Sequence, residues 1–185
     1  METTAFISNL LELTHQIKKE AISFQKLPDQ LLHTRPRPAS WSILECIEHL
    51  NRYGYFYIPE ITIKINTSQY QTPSSIFKSG YLGNYFAKSM LPKANLNKMK
   101  TFKTMNPSNS HLNRDVLTVF IQQQDSLIAL LEQAKTVNLN KTKTSISISK
   151  WIKLRLGDTL KIVIFHNLRH IIQAQNIIKN QENAD

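Results

Sequence analysis

The chain has 185 residues, 41% of them hydrophobic, with a formal net charge of +10 from 23 Lys and Arg against 13 Asp and Glu. At roughly 150 residues per domain this length supports one core, so residues 1–185 are expected to form a single domain. The positive charge would aid encounter with any anion without selecting one, and the lysines are spread along the chain, as on a solvated surface. Cys46 is the only cysteine, which excludes an intrachain disulfide and suits a reducing compartment. The opening METTAFISNLLELTHQIKKE has no basic stretch followed by a continuous apolar run, so it does not read as a signal peptide, and no apolar run reaches the ~18 residues of a membrane span. A soluble, cytoplasmic protein without a membrane partner is the expectation.

In chain order, four segments carry a helical period. Over residues 3–26, Phe6, Leu10, Leu13, Ile17, Ala21 and Phe24 recur at three- and four-residue steps before LPDQ breaks the pattern. The prolines of RPRPASWS exclude a helix there, but Ser42 and Glu45 have the spacing of a capping box, so a second helix is expected to start at this point. Its stripe is Ile43, Ile47, Leu50, Gly54 and Tyr57, and Pro59 should end or kink it near Ile58. Residues 62–109 mix Gly, Pro, Asn and aromatics without a period and read as a long ordered loop with a short helix, a length often tied to function. After NPSNS, rich in capping residues, a third stripe runs through Leu112, Val116, Phe120, Leu127, Leu130, Leu131 and Ala134. Residues 136–150 alternate polar and β-branched residues, but a lone strand has nothing to pair with, so they read as a loop. The fourth helix is expected from Asp158, as N-cap, through Leu160, Ile164, Leu168, Ile171 and Ile178. The sum is an all-α, four-helix bundle with a long crossover connection between helices 2 and 3.

At about 100° per residue, His166 and His170 fall together on one flank of the fourth helix's apolar face, and His49 falls on a flank of the second helix's stripe. If those edges face each other, the three imidazoles converge. Two histidines four apart on a helix can offer a metal two ligands, and a third from another helix leaves coordination positions open, as in catalytic sites. Such a set suits Zn²⁺, Ni²⁺, Fe²⁺ or Cu²⁺, and a metal held by it can acidify a bound water or thiol or polarise a substrate oxygen. Spacing alone leaves this reading open against that of hydrogen-bonded core histidines. Three residues are candidates to support the ligands: Gln173 as a hydrogen-bond partner, Tyr53 one turn after His49 as a donor, and Glu45 one turn before it as an orienting group, although capping also explains Glu45. Trp41 reads as a packing anchor, Arg169 as projecting away from the apolar face to neutralise a carboxylate, Cys46 as an inert thiol, and His15, His33 and His111 as incidental.

The pairing of WSILECIEHLN (41–51) with HNLRHIIQAQ (166–175) resembles the DinB/YfiT-like family of four-helix-bundle metalloenzymes. In that family a tryptophan-led second helix carries one histidine and the fourth helix carries an H-x-x-R-H-x-x-Q type motif, matched here by His166, Arg169, His170 and Gln173. The order of segments, with FIQQQDSLIALLEQA as third helix and LRLGDTL leading into the fourth, extends the resemblance over most of the chain. The resemblance implies that His49, His166 and His170 bind one divalent metal, Zn²⁺ or Ni²⁺ foremost. It also implies that the metal activates either a low-molecular-weight thiol, such as bacillithiol, mycothiol or glutathione, for transfer to an electrophile, or water for hydrolysis. A small-molecule substrate is the implied partner. The long basic segment 62–109 departs from the family's pattern. The alternative is a non-catalytic binding protein that takes nucleic acid through the basic segment 93–103, near Phe77, Tyr81, Tyr85, Phe86 and Phe102. Packing of those rings onto the bundle is the simpler account, so nucleic acid is not the expected partner. Two copies could pair as a homodimer through an outer helical face, though no stripe demands it.

Overall fold

The first apolar stripe forms α1 (Thr3–Phe24), whose inner face buries Phe6, Ile7, Leu10, Ile17, Ala21 and Phe24. The computed structural model describes residues 1–92, 101–108 and 110–182. A short helix, α2 (Asp29–His33), then leads to α3 (Ile43–Asn66). The expected capping box is present: Glu45 N donates to Ser42 Oγ at 3.3 Å and Ser42 N donates to Glu45 Oε2 at 2.9 Å. Pro59 does not end this helix, which continues to Asn66 and buries Ile61 and Ile65. The proline ring and Tyr55, whose carbonyl loses its helical donor, both lie on the exposed side, where water can satisfy that carbonyl while the inner face packs.

The crossover that follows is shorter at its start than expected and contains a ten-residue helix, α4 (Tyr81–Met90), and a 3₁₀ turn at Lys103–Met105. Its first part lies along the N-terminus, with Phe77 N donating to Met1 O at 3.0 Å and Thr3 N to Ser75 O at 2.9 Å. Of the basic segment 93–103, only residues 101–103 belong to the described part of the chain. The third bundle helix, α5 (Asp115–Ala134), starts later than NPSNS suggested, after Asn113 Oδ1 accepts from Asp115 N at 3.0 Å.

Residues 136–150 are not simply a loop. β1 (Lys143–Ile146) pairs antiparallel with β2 (Ser149–Arg155), with Thr144 opposite Leu154 and Lys143 opposite Arg155. The missing partner strand is β2, which straddles the end of that segment and the start of LRLGDTL, the lead into the last helix; Ile146 and Leu154 become buried on the inner face of the hairpin. β2 runs straight into α6 (Leu156–Glu182), so Asp158 sits inside the first turn rather than capping it. Its buried carboxylate turns to the neighbouring helix instead, accepting from Gly80 N at 2.8 Å at the start of α4.

Two helices of the bundle, α1 and α3, each pack on both α5 and α6. Arg114 reaching Asp29, and Lys18 reaching Asp125, make α1 and α5 antiparallel, whereas Gln175 bonding Glu20 makes α6 run with α1. Asn51 bonding Val116 O, and Gly54 lying under Gln123, make α3 and α5 parallel neighbours, which is why a long crossover must join them. Among the described residues, no helix is long and apolar enough to cross a membrane.

Candidate metal centre

With Ile43, Ile47, Leu50 and Tyr57 of α3 buried and α3 packed on α6, His49 is turned toward α6, where His166 and His170 stand one turn apart. The three rings meet: His49 Nε2 lies 3.2 Å from His166 Nε2, and the ligand atoms of all three histidines lie within 4.8 Å of one another. His49 Nδ1 is 2.7 Å from Met105 O; a carbonyl oxygen only accepts, so Nδ1 carries the hydrogen and Nε2 offers its lone pair inward. His170 is arranged alike, its Nδ1–H donating to Gln173 Oε1 at 2.9 Å.

Burial, and secondarily Arg52, lower the pKa of His49 to about 4 against a raising bond from Met105 O. Burial lowers His166 and His170 as well, with the other rings of the cluster adding to it. The rings are therefore neutral at physiological pH, the form that binds metal. Two imidazole nitrogens on a tetrahedral ion, each at about 2.05 Å, stand roughly 3.3 Å apart. The 3.2 Å separation of His49 Nε2 and His166 Nε2 fits that geometry.

The surroundings are aromatic. Trp41, tilted over His49 at 4.6 Å and His170 at 5.6 Å between centroids, forms one wall and anchors itself through Nε1 donating to Ser108 Oγ at 3.1 Å. Tyr53 meets His49 and His166 edge-on at 5.0 and 4.8 Å, and its pKa is raised to about 12 by burial and by Tyr57, so the phenol keeps its proton. Glu45 does not orient His49. Its carboxylate is used by the Ser42 N–H and by Arg35, and the Met105 carbonyl takes the orienting place. Arg169 is buried and lines the site instead of projecting outward. Cys46 is fully buried and its pKa is pushed up by that burial, in keeping with an inert thiol. His15 and His111 stay outside the cluster, while His33 ties α2 to the approach of α5 through Asp29 O and Leu112 O.

A cavity of about 970 Å³ opens at the histidines. Its wall includes three buried amide side chains that sequence reasoning missed: Gln123, Gln124 and Asn167, with Asn167 Nδ2 donating to Gln124 Oε1 at 3.1 Å. A signal for the first two was present, because the α5 stripe passes from Phe120 to Leu127 and the positions it skips on the same face are Gln123 and Gln124. Met105 carries no such signal, since any residue supplies a carbonyl.

The DinB superfamily matches residues 18–174 of the chain. Among solved structures, YfiT from Bacillus subtilis, described as "a probable metal-dependent hydrolase with an unusual four-helix bundle topology", aligns with a TM-score of 0.55 at 16% identity, covering 97% of this chain and 87% of that one. At that identity the likeness is one of fold. No curated protein matches the chain.

Proposed function

This chain belongs to the DinB superfamily, and from that premise we propose that it is a metal-dependent enzyme in which His49, His166 and His170 hold one divalent ion, Zn²⁺ or Ni²⁺, beside a small-molecule pocket. The observation that carries the reading is the pair of Nε2 atoms facing each other at 3.2 Å, with the Nδ1 atoms of His49 and His170 already engaged by Met105 O and Gln173 Oε1. An ion bound there supplies Lewis acidity, enough to ionise a coordinated thiol outright or to acidify a coordinated water to a pKa of about 7.

Among the described residues lining the cavity there is no Asp or Glu. No carboxylate is thus at hand as a general base, and Tyr53, with its pKa raised to about 12, can donate a hydrogen bond but does not accept a proton at neutral pH. That combination favours a nucleophile needing no base beyond the ion, a low-molecular-weight thiol transferred to an electrophile, over water. The chain's own contribution is positioning: Gln173 and Met105 O fix the tautomers, and Trp41 covers two of the rings from solvent.

Elemental mass spectrometry on untagged protein tests the site. About one equivalent of zinc or nickel is expected in the wild type and a loss of it in His49→Ala, His166→Ala and His170→Ala. Wild type that stays metal-free after incubation with either ion would overturn the reading.

A further inference from the structure

One face of α6 lines the cavity along its length, with Val163 at one end, His166 and His170 in the middle, and Gln173, Asn176 and Asn180 beyond them. The two halves differ in chemistry. On the Val163 side the walls are mainly apolar, Phe86 and Met90 of α4 with Ile146 and Ile148 of the β-hairpin, and carry the hydroxyls of Ser89 and Ser147 between them. Phe86 and Met90 pack against a small apolar cluster of Ala87, Ile146, Leu154 and Ile162 that is separate from the main core. At its rim Ile148 is 46% exposed and Tyr85 64% exposed, so part of the apolar surface here faces open space. Such surface is costly to leave in water and is what a ligand's apolar part would cover. On the other side α6 presents the carboxamides of Gln173, Asn176 and Asn180, beside Trp41, Phe102 and Ile177, and the formal charges among the described lining residues are the cations Arg37 and Arg169.

We infer that the chamber between α4 and the hairpin binds the apolar portion of the substrate, an uncharged alkyl chain or aryl ring, while the reacting atom lies at the three histidines and the polar portion runs along Gln173, Asn176 and Asn180. The assignment of the reacting atom rests on the metal site proposed above; the chamber itself does not. Two walls of it come from α4 in the crossover and from the hairpin, so the connections between bundle helices set the specificity that the helices themselves leave open.

The probes are acetohydroxamate and hexanohydroxamate, which share a metal-binding head and differ by an alkyl tail, titrated calorimetrically into zinc-loaded protein. Each buried methylene strengthens binding by about fourfold, so hexanohydroxamate is expected to bind at least about tenfold more tightly than acetohydroxamate to the wild type. Ser89→Trp, which fills the chamber from α4, and Ile148→Asp, which puts a charge at its mouth, should each bring that ratio close to one; zinc content serves as the control for folding. Equal affinities in the zinc-loaded wild type, or a preference that both variants leave untouched, would overturn the inference while the metal site stands. If instead the protein takes up no zinc, the metal reading fails separately. The chamber is then read with 1-hexanol on metal-free protein: binding to the wild type that is lost in both variants supports it, and no binding to the wild type refutes it.

Discussion

Gln173 is the side chain whose role is most open to direct measurement. Its Oε1 accepts from His170 Nδ1 at 2.9 Å and so holds the Nε2 lone pair inward. Gln173→Leu removes that acceptor at similar size, and zinc affinity measured against a competing chelator should fall by about 10- to 100-fold with the fold intact; an unchanged affinity would remove Gln173 from the site. The same rings give the metal-free protein a pH dependence. His49 has its pKa lowered from 6.5 to about 4, and His166 and His170 are lowered too, so in acid the unfolded chain takes up protons that the folded chain refuses. Stability of the metal-free protein is therefore full above pH 6.5 and declines as the pH falls from 6.5 toward 4, by about 3 kcal/mol from His49 alone. Urea midpoints at pH 7.5 and pH 5 should show about 2 kcal/mol of that fall from His49, and His49→Gln should reduce it. A midpoint that holds steady between the two would mean the histidines are more solvated than their burial indicates. At this scale the three histidines were readable as candidates from H-x-x-x-H spacing and the flank position of His49, but the partner of His49 was not, because Met105 acts through its backbone and lies 56 residues away.

α4 is the element on which the chamber depends, and Gly83 is what lets it dock. A β-carbon at Gly83 would stand 2.3 Å from Asp158 Cγ, and Asp158 is itself held by Gly80 N at 2.8 Å, so the carboxylate cannot simply swing aside. Gly83→Ala should force α4 off α6 at a cost of about 1–3 kcal/mol, seen as a lower melting temperature and faster amide exchange across Tyr81–Met90. Exchange no faster than wild type would show that Asp158 yields. Gly54 is similar: a β-carbon there meets Gln123 Oε1 at 2.0 Å, and that buried amide is held by Nε2 donating to Asn51 O at 3.2 Å. Three of the bundle helices were legible from stripes of three- and four-residue steps, and the fourth from the capping box at Ser42. The hairpin was not, because its pairing joins residues assigned to two different segments and becomes stable only where Ile146 and Leu154 find the α4 and α6 surface.

Over the whole molecule, the proposed ligands come from two helices that are not consecutive in the bundle, α3 and α6, so an ion bound there would link the second and last helices and exist only in the folded state. Zinc at about 100 times its dissociation constant should then stabilise the protein by roughly 2.7 kcal/mol, raising the melting temperature by about 5–10 °C, and a chelator should reverse the shift. No shift in protein shown to contain zinc would mean that the ion binds the unfolded chain as well. Local pattern by itself determined a helical bundle, its four long helices and the need for a crossover, since these follow from periodicity and capping within a few turns of the chain; it placed the three histidines on helix flanks but left open whether they converge. Only the tertiary structure decided that His49 faces His166, that Arg35 engages the capping carboxylate of Glu45, that Pro59 stays within a helix, and that α4 and the hairpin line one side of the cavity. Each of those outcomes depends on which surfaces meet across long stretches of sequence, and such contacts leave no trace in local spacing.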